Sequence, residues 1–250
     1  MKNYLLTICF DGTNYHGWQV QENAVTVQET LQNAVERILG VRENIIGCSR
    51  TDAFVHAHRF CCNMRTEKDI APEKLQTALN AVLPRDIAVL DCGEVPYDFH
   101  ARYDCTGKTY QYLILNRQVR DPFYENRAYH YPWHIHADFL NEQAQQFLGL
   151  HDFSAFCASK TAVEDKVREI RRVAVTRDGD FVKITVEGNG FLYNMVRIMV
   201  GTLLEINRGK LLRDSIPAVL ESKDRAKAGA TAPPQGLYLH KVYYDSGNGV

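Results

Sequence analysis

The sequence predicts an α+β fold in which two halves share a β-α-β-β-α-β-like order of elements. Three features predict it: strand-like runs rich in β-branched and aromatic residues, stretches with apolar residues at helical spacing, and a recurrence of the same order of elements after Pro96. The recurrence is one of topology, because no residue-level repeat accompanies it. A chain of 250 residues is long enough for two domains that each bury a core. We therefore predict domains at residues 1–97 and 98–250.

The first half is predicted to contain three strands and two helices. Residues 3–10 form an apolar and aromatic run that is typical of a strand. Thr26 and Glu29 match the capping box that begins a helix, and Gly40 is the expected stop of that helix. Pro72 is suited to the first turn of a second helix. The two remaining strands of this half are predicted at 58–66 and 87–95.

The second half is predicted to repeat this plan. Residues 181–188 alternate cleanly, with Val182, Ile184 and Val186 on one face, as a half-buried strand requires. The predicted elements in order are a strand at 107–115, a helix at 138–148, strands at 169–176 and 181–188, a helix from about 191, and a strand at 236–244.

The segment 191–206 is apolar nearly all round, which predicts a buried helix. It contains Asn194, Arg197 and Glu205, and it is shorter than the about 20 apolar residues that a membrane span needs. We therefore expect a core helix and no membrane association. Its arginine keeps its charge and requires an anionic partner or solvent.

Composition restricts the function classes. Hydrophobic residues make up 45% and charged residues 24%, as in ordinary globular proteins, which excludes disordered and low-complexity classes. The net charge is −1, so a nucleic-acid partner would have to be held by a local basic patch. The seven cysteines contain no C-x-x-C pair, and the N-terminus lacks the pattern of a secretory signal. We expect reduced thiols in a cytoplasmic protein.

Arg50 and Asp52 lie together between two strand-like runs and are the first candidates for chemistry. In a loop, such a pair is most often a surface ion pair or part of a turn. Arg197, however, needs a carboxylate, and Asp52 beside it would stay ionised because an opposite charge lowers the pKa of an acid. An ionised and oriented carboxylate is a nucleophile or a general base.

Tyr110 and Tyr112 are two residues apart in a predicted strand and therefore share one face. They are either ordinary core or surface aromatics or a platform on which nucleotide bases stack. Nearby basic residues would supply phosphate contacts, although a solvated charged face would look the same; they are Arg102, Lys108, Arg117, Arg120, Lys166, Arg168, Arg171 and Arg172.

Several other motifs do not develop into a site. The segment from Asp11 to Thr13 resembles the D-x-D-G-T loop of phosphatases, but Cys9 stands where the nucleophile would be. The pairs His56-x-His58 and His134-x-His136 lack a third ligand at a signature spacing, so we expect ordinary histidines and no metal. The chain has no G-x-G-x-x-G and no phosphate-binding loop, and we expect no cofactor.

Eight sequence blocks, in order along nearly the whole chain, carry a family resemblance. They are FDGTNYHGWQVQ, the TVQ helix opening, SRTDAFVHA, LPRDIAV, FHARYDCTGKTYQYLI, HDFSAF, GNGFLYNMVRIMVGTLLE and APPQGLYLHKVYY. In this ordered set the chain resembles the tRNA pseudouridine synthase A family. RTD together with the long GNGFLYNMVRIMVG block makes the resemblance highly specific.

The resemblance implies two ferredoxin-like (RNA-recognition-motif-like) domains whose antiparallel sheets join into one continuous sheet across a central, positively charged RNA-binding cleft. It also implies a homodimer that binds tRNA and isomerises uridine to pseudouridine at positions 38 to 40 of the anticodon stem-loop, without metal or cofactor. By the same resemblance Asp52 is the catalytic aspartate, Tyr110 contacts the target base, Arg197 pairs with the aspartate, and Arg50 is the basic residue that precedes it.

The chain departs from the family pattern at three glycine positions, now Ser49, Phe54 and Asn207. Because phenylalanine is poorly suited to positive φ, we expect negative φ at Phe54, with its ring in the core rather than in the cleft. Two alternatives to an RNA isomerase are a non-catalytic RNA-binding relative and a small-molecule enzyme with an aspartate nucleophile. A paralogous synthase with a different RNA target is a further one.

Overall fold

The computed structural model describes residues 1–158 and 163–245 and is of the mixed α+β class. The described residues contain ten strands and five α-helices. They divide into two compact units, the first formed by Met1–Gly107 together with the described residues from Tyr238 onward, and the second by residues 108–237. The predicted boundary at 97/98 lies within the first unit.

The first unit contains an antiparallel sheet with the strand order β4-β1-β3-β2 and two helices. Leu5 pairs with Asn63 on one side and with Gly93 on the other, so β1 is a central strand. The elements are β1 (Lys2–Phe10), α1 (Val27–Leu39), β2 (Ile45–Gly47), β3 (His56–Thr66), α2 (Pro72–Val82) and β4 (Ile87–Val95).

The ends of the first helix follow the sequence signals. The Thr26 side chain accepts a hydrogen bond from the backbone N–H of Glu29 at 3.4 Å, and Gly40 ends the helix at φ 73°. A left-handed residue at this position suits glycine, which has no Cβ to clash. The helix buries Val27, Leu31 and Val35, as its apolar spacing predicts. These predictions are confirmed.

The second unit contains an antiparallel sheet with the strand order β5-β9-β8-β7 and three helices. Its elements are β5 (Cys105–Leu115), β6 (Tyr129–His130), α3 (Ala137–Ala144), β7 (Gly149–Asp152), β8 (Val167–Asp178), β9 (Phe181–Gly188), α4 (Met195–Asn207) and α5 (Ile216–Ser222). The last strand, β10 (Leu237–Tyr244), belongs to the first unit from Tyr238 onward, where Tyr238 and Leu239 pair in parallel with β3.

Two helices begin or end differently from the sequence prediction. The α3 helix ends at Ala144 and continues as a 3₁₀ turn over Gln145–Phe147, whereas the apolar spacing predicted a helix to residue 148. The α4 helix begins at Met195 rather than near residue 191, because Asn194 takes a left-handed φ of 62°. Within the described residues, no helix is long and apolar enough to cross a membrane.

Asn207 is the last residue of α4 and connects this helix to the segment that leads into α3. Its side-chain Nδ2 donates to the carbonyl of His134 at 2.8 Å, and its Oδ1 accepts from the backbone N–H of His136 at 3.0 Å. The asparagine therefore supplies two hydrogen bonds that a glycine could not make.

Candidate active site

The loop between β2 and β3 carries Asp52 and is held by backbone hydrogen bonds to an earlier segment of the same unit. The N–H of Trp18 donates to the carbonyl of Thr51 at 3.1 Å, and the N–H of Phe54 donates to the carbonyl of Tyr15 at 3.1 Å. Within the loop, the N–H of Val55 donates to the carbonyl of Asp52 at 3.2 Å. Asp52 is half-buried. Its backbone is thus fixed on both sides.

Tyr15 supports this segment through its side chain as well. Its hydroxyl donates to Oδ1 of Asp86 at 2.6 Å, and its ring is buried. Burial is the largest cause that raises the pKa of the Tyr15 hydroxyl, and this hydrogen bond is the second. The tyrosine therefore remains protonated and donates to a carboxylate, which is a strong hydrogen bond.

Two glycines make close contacts with the loop that carries Asp52. Gly17 has φ +87°, and a Cβ placed on it would lie 3.0 Å from the carbonyl carbon of Asp52. A Cβ on Gly12 would lie 2.7 Å from the carbonyl carbon of Val55 and 3.2 Å from that of Phe54. Both positions therefore exclude side chains. Gly12 was interpreted only as part of an incomplete phosphatase motif. Both glycines are far from Asp52 in the sequence, so no sequence signal pointed to this role.

His56 and His58 pack against one aromatic ring. His56 is 2% exposed, and its Nδ1 accepts from the backbone N–H of Gly12 at 2.9 Å. The Tyr238 ring stacks on both imidazoles at 4.7 Å between centroids, and Nδ1 of His58 lies 3.1 Å from Nδ1 of His240. Across residues 1–158 and 163–245, no group of three His, Cys, Asp or Glu side chains is arranged to hold a metal ion. The contacts with Tyr238, Gly12 and His240 give these histidines packing and hydrogen-bonding roles.

Phe54 differs from both expectations made for it. Its φ is +65° and it is 44% exposed, so the predicted negative φ and buried ring are wrong. The reason is the hydrogen bond from Val55 to Asp52, which closes a tight turn whose third residue is Phe54. The chain follows the backbone path of a glycine there, and the phenylalanine tolerates the strain. Its ring lies 6.1 Å from that of His16.

Tyr110 and Tyr112 have different environments in the second unit. Tyr110 is 6% exposed, and its ring meets Phe191 edge-on at 5.0 Å. Tyr112 is fully buried, and its hydroxyl donates to the carbonyl of Pro233 at 2.6 Å. Burial raises the pKa of Tyr112. Tyr112 is therefore a core residue, and the idea of a platform formed by both tyrosines is wrong.

Arg197 lies in the first turn of α4 and is half-buried. Its Nε donates to the carbonyl of Ala232 at 2.7 Å, and its Nη1 donates to Oδ1 of Asn194 at 2.9 Å. In return, the N–H of Ala232 donates to the carbonyl of Arg197 at 3.1 Å. The guanidinium is thereby held in one orientation. Asn194 and Ala232 were not found from the sequence, because neither residue type carries a signal for this role.

The basic residues predicted to form a patch do not all behave alike. Arg50 and Arg102 are exposed. Arg117 forms ion pairs with Asp121 at 3.1 Å and Asp180 at 3.4 Å. Others have local partners: Nη1 of Arg168 donates to the carbonyls of Asp165 and Val167, and Arg171 pairs with Glu169 at 2.8 Å.

Comparison with known proteins gives one consistent family. The sequence pattern of the family described as tRNA pseudouridine synthase matches residues 7–104 and 143–245. The tRNA pseudouridine synthase A of Thermoanaerobacter sp. (strain X514) is 47% identical over 244 residues, which are 98% of this chain and 100% of that protein. The proteins of the same name from Clostridium acetobutylicum and Acetivibrio thermocellus are 47% and 46% identical at the same coverage. Asp52 and Arg197 lie within the matched segments, and Tyr110 lies between them.

Proposed function

Because the chain belongs to the tRNA pseudouridine synthase family and is an isomerase that acts on tRNA, we propose that it converts uridine to pseudouridine in the anticodon stem-loop, at positions 38 to 40, with Asp52 as the nucleophile. The observation that carries the proposal is the half-buried aspartate in a loop fixed by Gly12, Gly17 and backbone hydrogen bonds. A carboxylate carried on a fixed backbone needs little reorganisation when it reacts.

The reaction breaks the bond between C1′ and N1, turns the uracil while it is held, and joins C1′ to C5. The proton on C5 leaves, and N1 gains one, so the overall composition is unchanged. The Asp52 carboxylate has three routes open to it: an adduct with the ribose, an adduct with the base, or assistance in removing a ribose proton. Each route requires the ionised form.

Three further residues have proposed roles in this reaction. Arg197 pairs with the carboxylate of Asp52, and the hydrogen bonds of its guanidinium to Ala232 and Asn194 keep it oriented for that task. Tyr110 contacts the target base, and the edge contact with Phe191 supports its ring. Arg50, which is exposed, binds a phosphate of the tRNA.

The target base must leave its stack before it can react. Flipping a nucleotide costs a few kcal/mol, which aromatic stacking and phosphate contacts offset. The route uses neither a metal nor a cofactor, because its bond changes involve only the substrate, a carboxylate and a proton. The proposed chemistry therefore depends on this chain's own side chains.

The proposal extends to fold and assembly. We assign two ferredoxin-like domains, residues 1–97 and 98–250, whose sheets join across the RNA-binding cleft. The order β4-β1-β3-β2 with two helices supports the first of them, since a βαββαβ chain produces this order. We further propose a homodimer in the cytoplasm, where the seven free thiols would stay reduced.

Mapping of pseudouridine in tRNA from cells with and without this protein tests the proposal. We expect loss of pseudouridine at positions 38 to 40, and release of tritium from C5-labelled tRNA by the purified protein. Loss at other positions would favour a paralogous synthase with a different target. Tritium release that is absent although tRNA binds would favour a non-catalytic relative.

A further inference from the structure

A groove opens in the first unit beside the loop that carries Asp52. It encloses about 180 Å³. Trp18 and Ile45, both buried, form part of its wall. We call it the Tyr103 groove; the polar and aromatic residues that line it include Gln19, Asn44, Arg50, His100, Arg102 and Tyr103.

The Tyr103 groove carries two unpaired positive charges. Among the residues described, neither Arg50 nor Arg102 makes a side-chain hydrogen bond or ion pair, and both are exposed. Two other arginines of this unit do have partners: Arg42 pairs with Glu36 at 3.1 Å, and Arg65 donates to the carbonyl of Tyr97 at 2.9 Å. Two guanidinium groups in one groove without a carboxylate partner favour an anionic ligand, and phosphate is one of the anions that arginine binds in a bidentate manner.

The same groove presents an aromatic ring on a rigid support. Tyr103 is 77% exposed, and its ring lies over the His100 imidazole at 4.2 Å between centroids and 30° between planes. Nδ1 of His100 accepts from the N–H groups of Arg102 and Tyr103 at 3.2 and 3.3 Å, while the His100 N–H donates to Oδ2 of Asp104 at 2.9 Å. The tyrosine is therefore held in place although it is exposed, which lowers the entropy cost of stacking a ligand on it.

An amide on the other side of the groove is also oriented. Nε2 of Gln19 donates to Oε1 of Gln28 at 3.1 Å, and the buried Gln28 is anchored by its own Nε2, which donates to the carbonyl of Ile45 at 2.8 Å. This fixes the Gln19 amide, with its Oε1 as an acceptor for a base N–H. The groove thus offers a ring for a planar base, two arginines for a phosphate and an acceptor for a donor on the base edge. A single-stranded nucleotide has all three groups.

We propose that the Tyr103 groove binds one unpaired nucleotide of the tRNA next to the target, with the base on Tyr103 and the phosphate between Arg50 and Arg102. The inference rests on the proposed function, because it takes the occupant to be substrate RNA. Arg50 is two residues from Asp52 in the sequence, so a nucleotide held here would position the neighbouring segment relative to the reactive carboxylate. The groove thereby contributes to the choice of target.

Binding measurements on the full-length protein test the proposal, with tRNA and a single-stranded pentauridylate as probes. We expect Tyr103→Leu to raise the Kd for both RNAs about tenfold, in the range that base–aromatic stacking provides, and Tyr103→Phe to restore binding. Arg102→Gln should reduce the slope of log K against log salt for pentauridylate by about 0.7, the loss of one phosphate contact on a single strand. If Tyr103 and Arg102 had only structural roles, Tyr103→Phe would not be expected to restore the Kd, and Arg102→Gln would not be expected to change the salt slope.

Tyr97→Leu is the matched control. Tyr97 is 54% exposed and lies in the same unit, under the Arg65 guanidinium at 5.0 Å, but it does not line the groove. Its variant should bind both RNAs as the wild type does. If the wild type makes pseudouridine but Tyr103→Leu and Arg102→Gln have unchanged Kd values and salt slopes, the proposed nucleotide site in the Tyr103 groove is wrong. The proposed function would then remain intact. A wild type that binds pentauridylate through the groove but makes no pseudouridine would contradict the proposed function alone.

Discussion

Gly17 lies directly against the backbone of Asp52: a Cβ at residue 17 would be 3.0 Å from the carbonyl carbon of Asp52, and the φ of Gly17 is +87°. We predict that Gly17→Ala lowers both the stability of the protein and its rate of pseudouridine formation. Gly40 supplies the comparison, because it also has positive φ, +73°, but a Cβ there would meet nothing within 4 Å.

Gly40→Ala should cost about 1–2 kcal/mol in unfolding free energy from the left-handed backbone alone, with normal activity. Gly17→Ala should cost a further about 1–3 kcal/mol from overpacking, and it should displace the carboxylate. Thermal unfolding and single-turnover kinetics measure the two effects. If Gly17→Ala and Gly40→Ala lose the same unfolding free energy and the same activity, the contact between Gly17 and the Asp52 loop is unimportant.

The periodic elements could be predicted from the sequence, and the short ones could not. Apolar spacing and capping residues located α1 and most strands to within two residues. The strands β2, β6 and β7 were missed, since two to four residues contain too few alternations to define a period. The α5 helix was also missed, because its seven residues make only about two turns. Asn194 cut α4 short because one left-handed residue overrides an apolar pattern.

The candidate site was only partly predictable for a related reason. Asp52 and Arg197 have side chains whose chemistry is visible in the sequence. The contributions of Gly12 and Gly17 are spaces in which no side chain fits, and those depend on a loop that approaches from elsewhere in the chain. Tyr112 has the same sequence pattern as Tyr110, and only the depth of its burial separates the two.

Asp52→Asn should abolish isomerisation while tRNA affinity stays within a few-fold of the wild type. The amide has nearly the shape of the carboxylate but is no nucleophile, and loss of a nucleophile typically costs at least about 10⁴ in rate. Phosphate contacts supply most of the affinity for RNA and are not altered. Release of tritium from C5-labelled tRNA and filter binding are the measurements. Substantial turnover by this variant would remove Asp52 from the nucleophile role.

Arg197→Met should lose activity and also about 2–3 kcal/mol of stability. It removes the charge-assisted hydrogen bonds to Ala232 and Asn194 from a half-buried site. Arg197→Lys keeps the charge without the planar fork, so we expect partial recovery of stability and little recovery of activity. Denaturant unfolding and single-turnover rates report the two quantities. Full activity in the lysine variant would show that charge alone suffices.

Asp152 makes the stability of the second unit depend on pH in the acid range. Hydrogen bonds from Lys223, at 2.8 Å, and then from Ser154 lower the pKa of Asp152 to about 2. A depressed folded-state pKa stabilises the protein above the ordinary pKa of the acid, and this stabilisation is lost as pH falls from about 4 to about 2.

Asp152→Asn should therefore lower the unfolding free energy at pH 6 by about 1 kcal/mol, a modest figure because Lys223 is largely exposed. This corresponds to about 2–4 °C in Tm for a chain of this size. The difference between wild type and variant should shrink below pH 4, become small near pH 2 and vanish only at lower pH. A difference that stays constant down to pH 2.5 would mean that Asp152 titrates at its ordinary pKa.

Variants of Phe54 can separate the effect of its strained backbone from the function of its ring. Its φ of +65° costs about 1–2 kcal/mol relative to a relaxed residue, and its exposed ring recovers little by burial. Phe54→Gly should therefore unfold at the same temperature as the wild type or slightly higher. Phe54→Val, whose branched side chain tolerates positive φ poorly, should unfold at a lower one.

The Phe54 ring is a candidate for RNA recognition, because Phe54 is two residues from Asp52 in the sequence and its ring does not belong to the core. If it stacks on a nucleotide of the anticodon arm, Phe54→Gly weakens tRNA binding about tenfold at unchanged Tm, and Phe54→Tyr, which keeps an aromatic face, binds normally. We expect this result, since burial was the competing role and the ring is 44% exposed. The measurements are the Kd for tRNA and the position of the modified uridine. If Phe54→Gly matches the wild type in both, the phenylalanine is a strained substitution that has no part in RNA recognition.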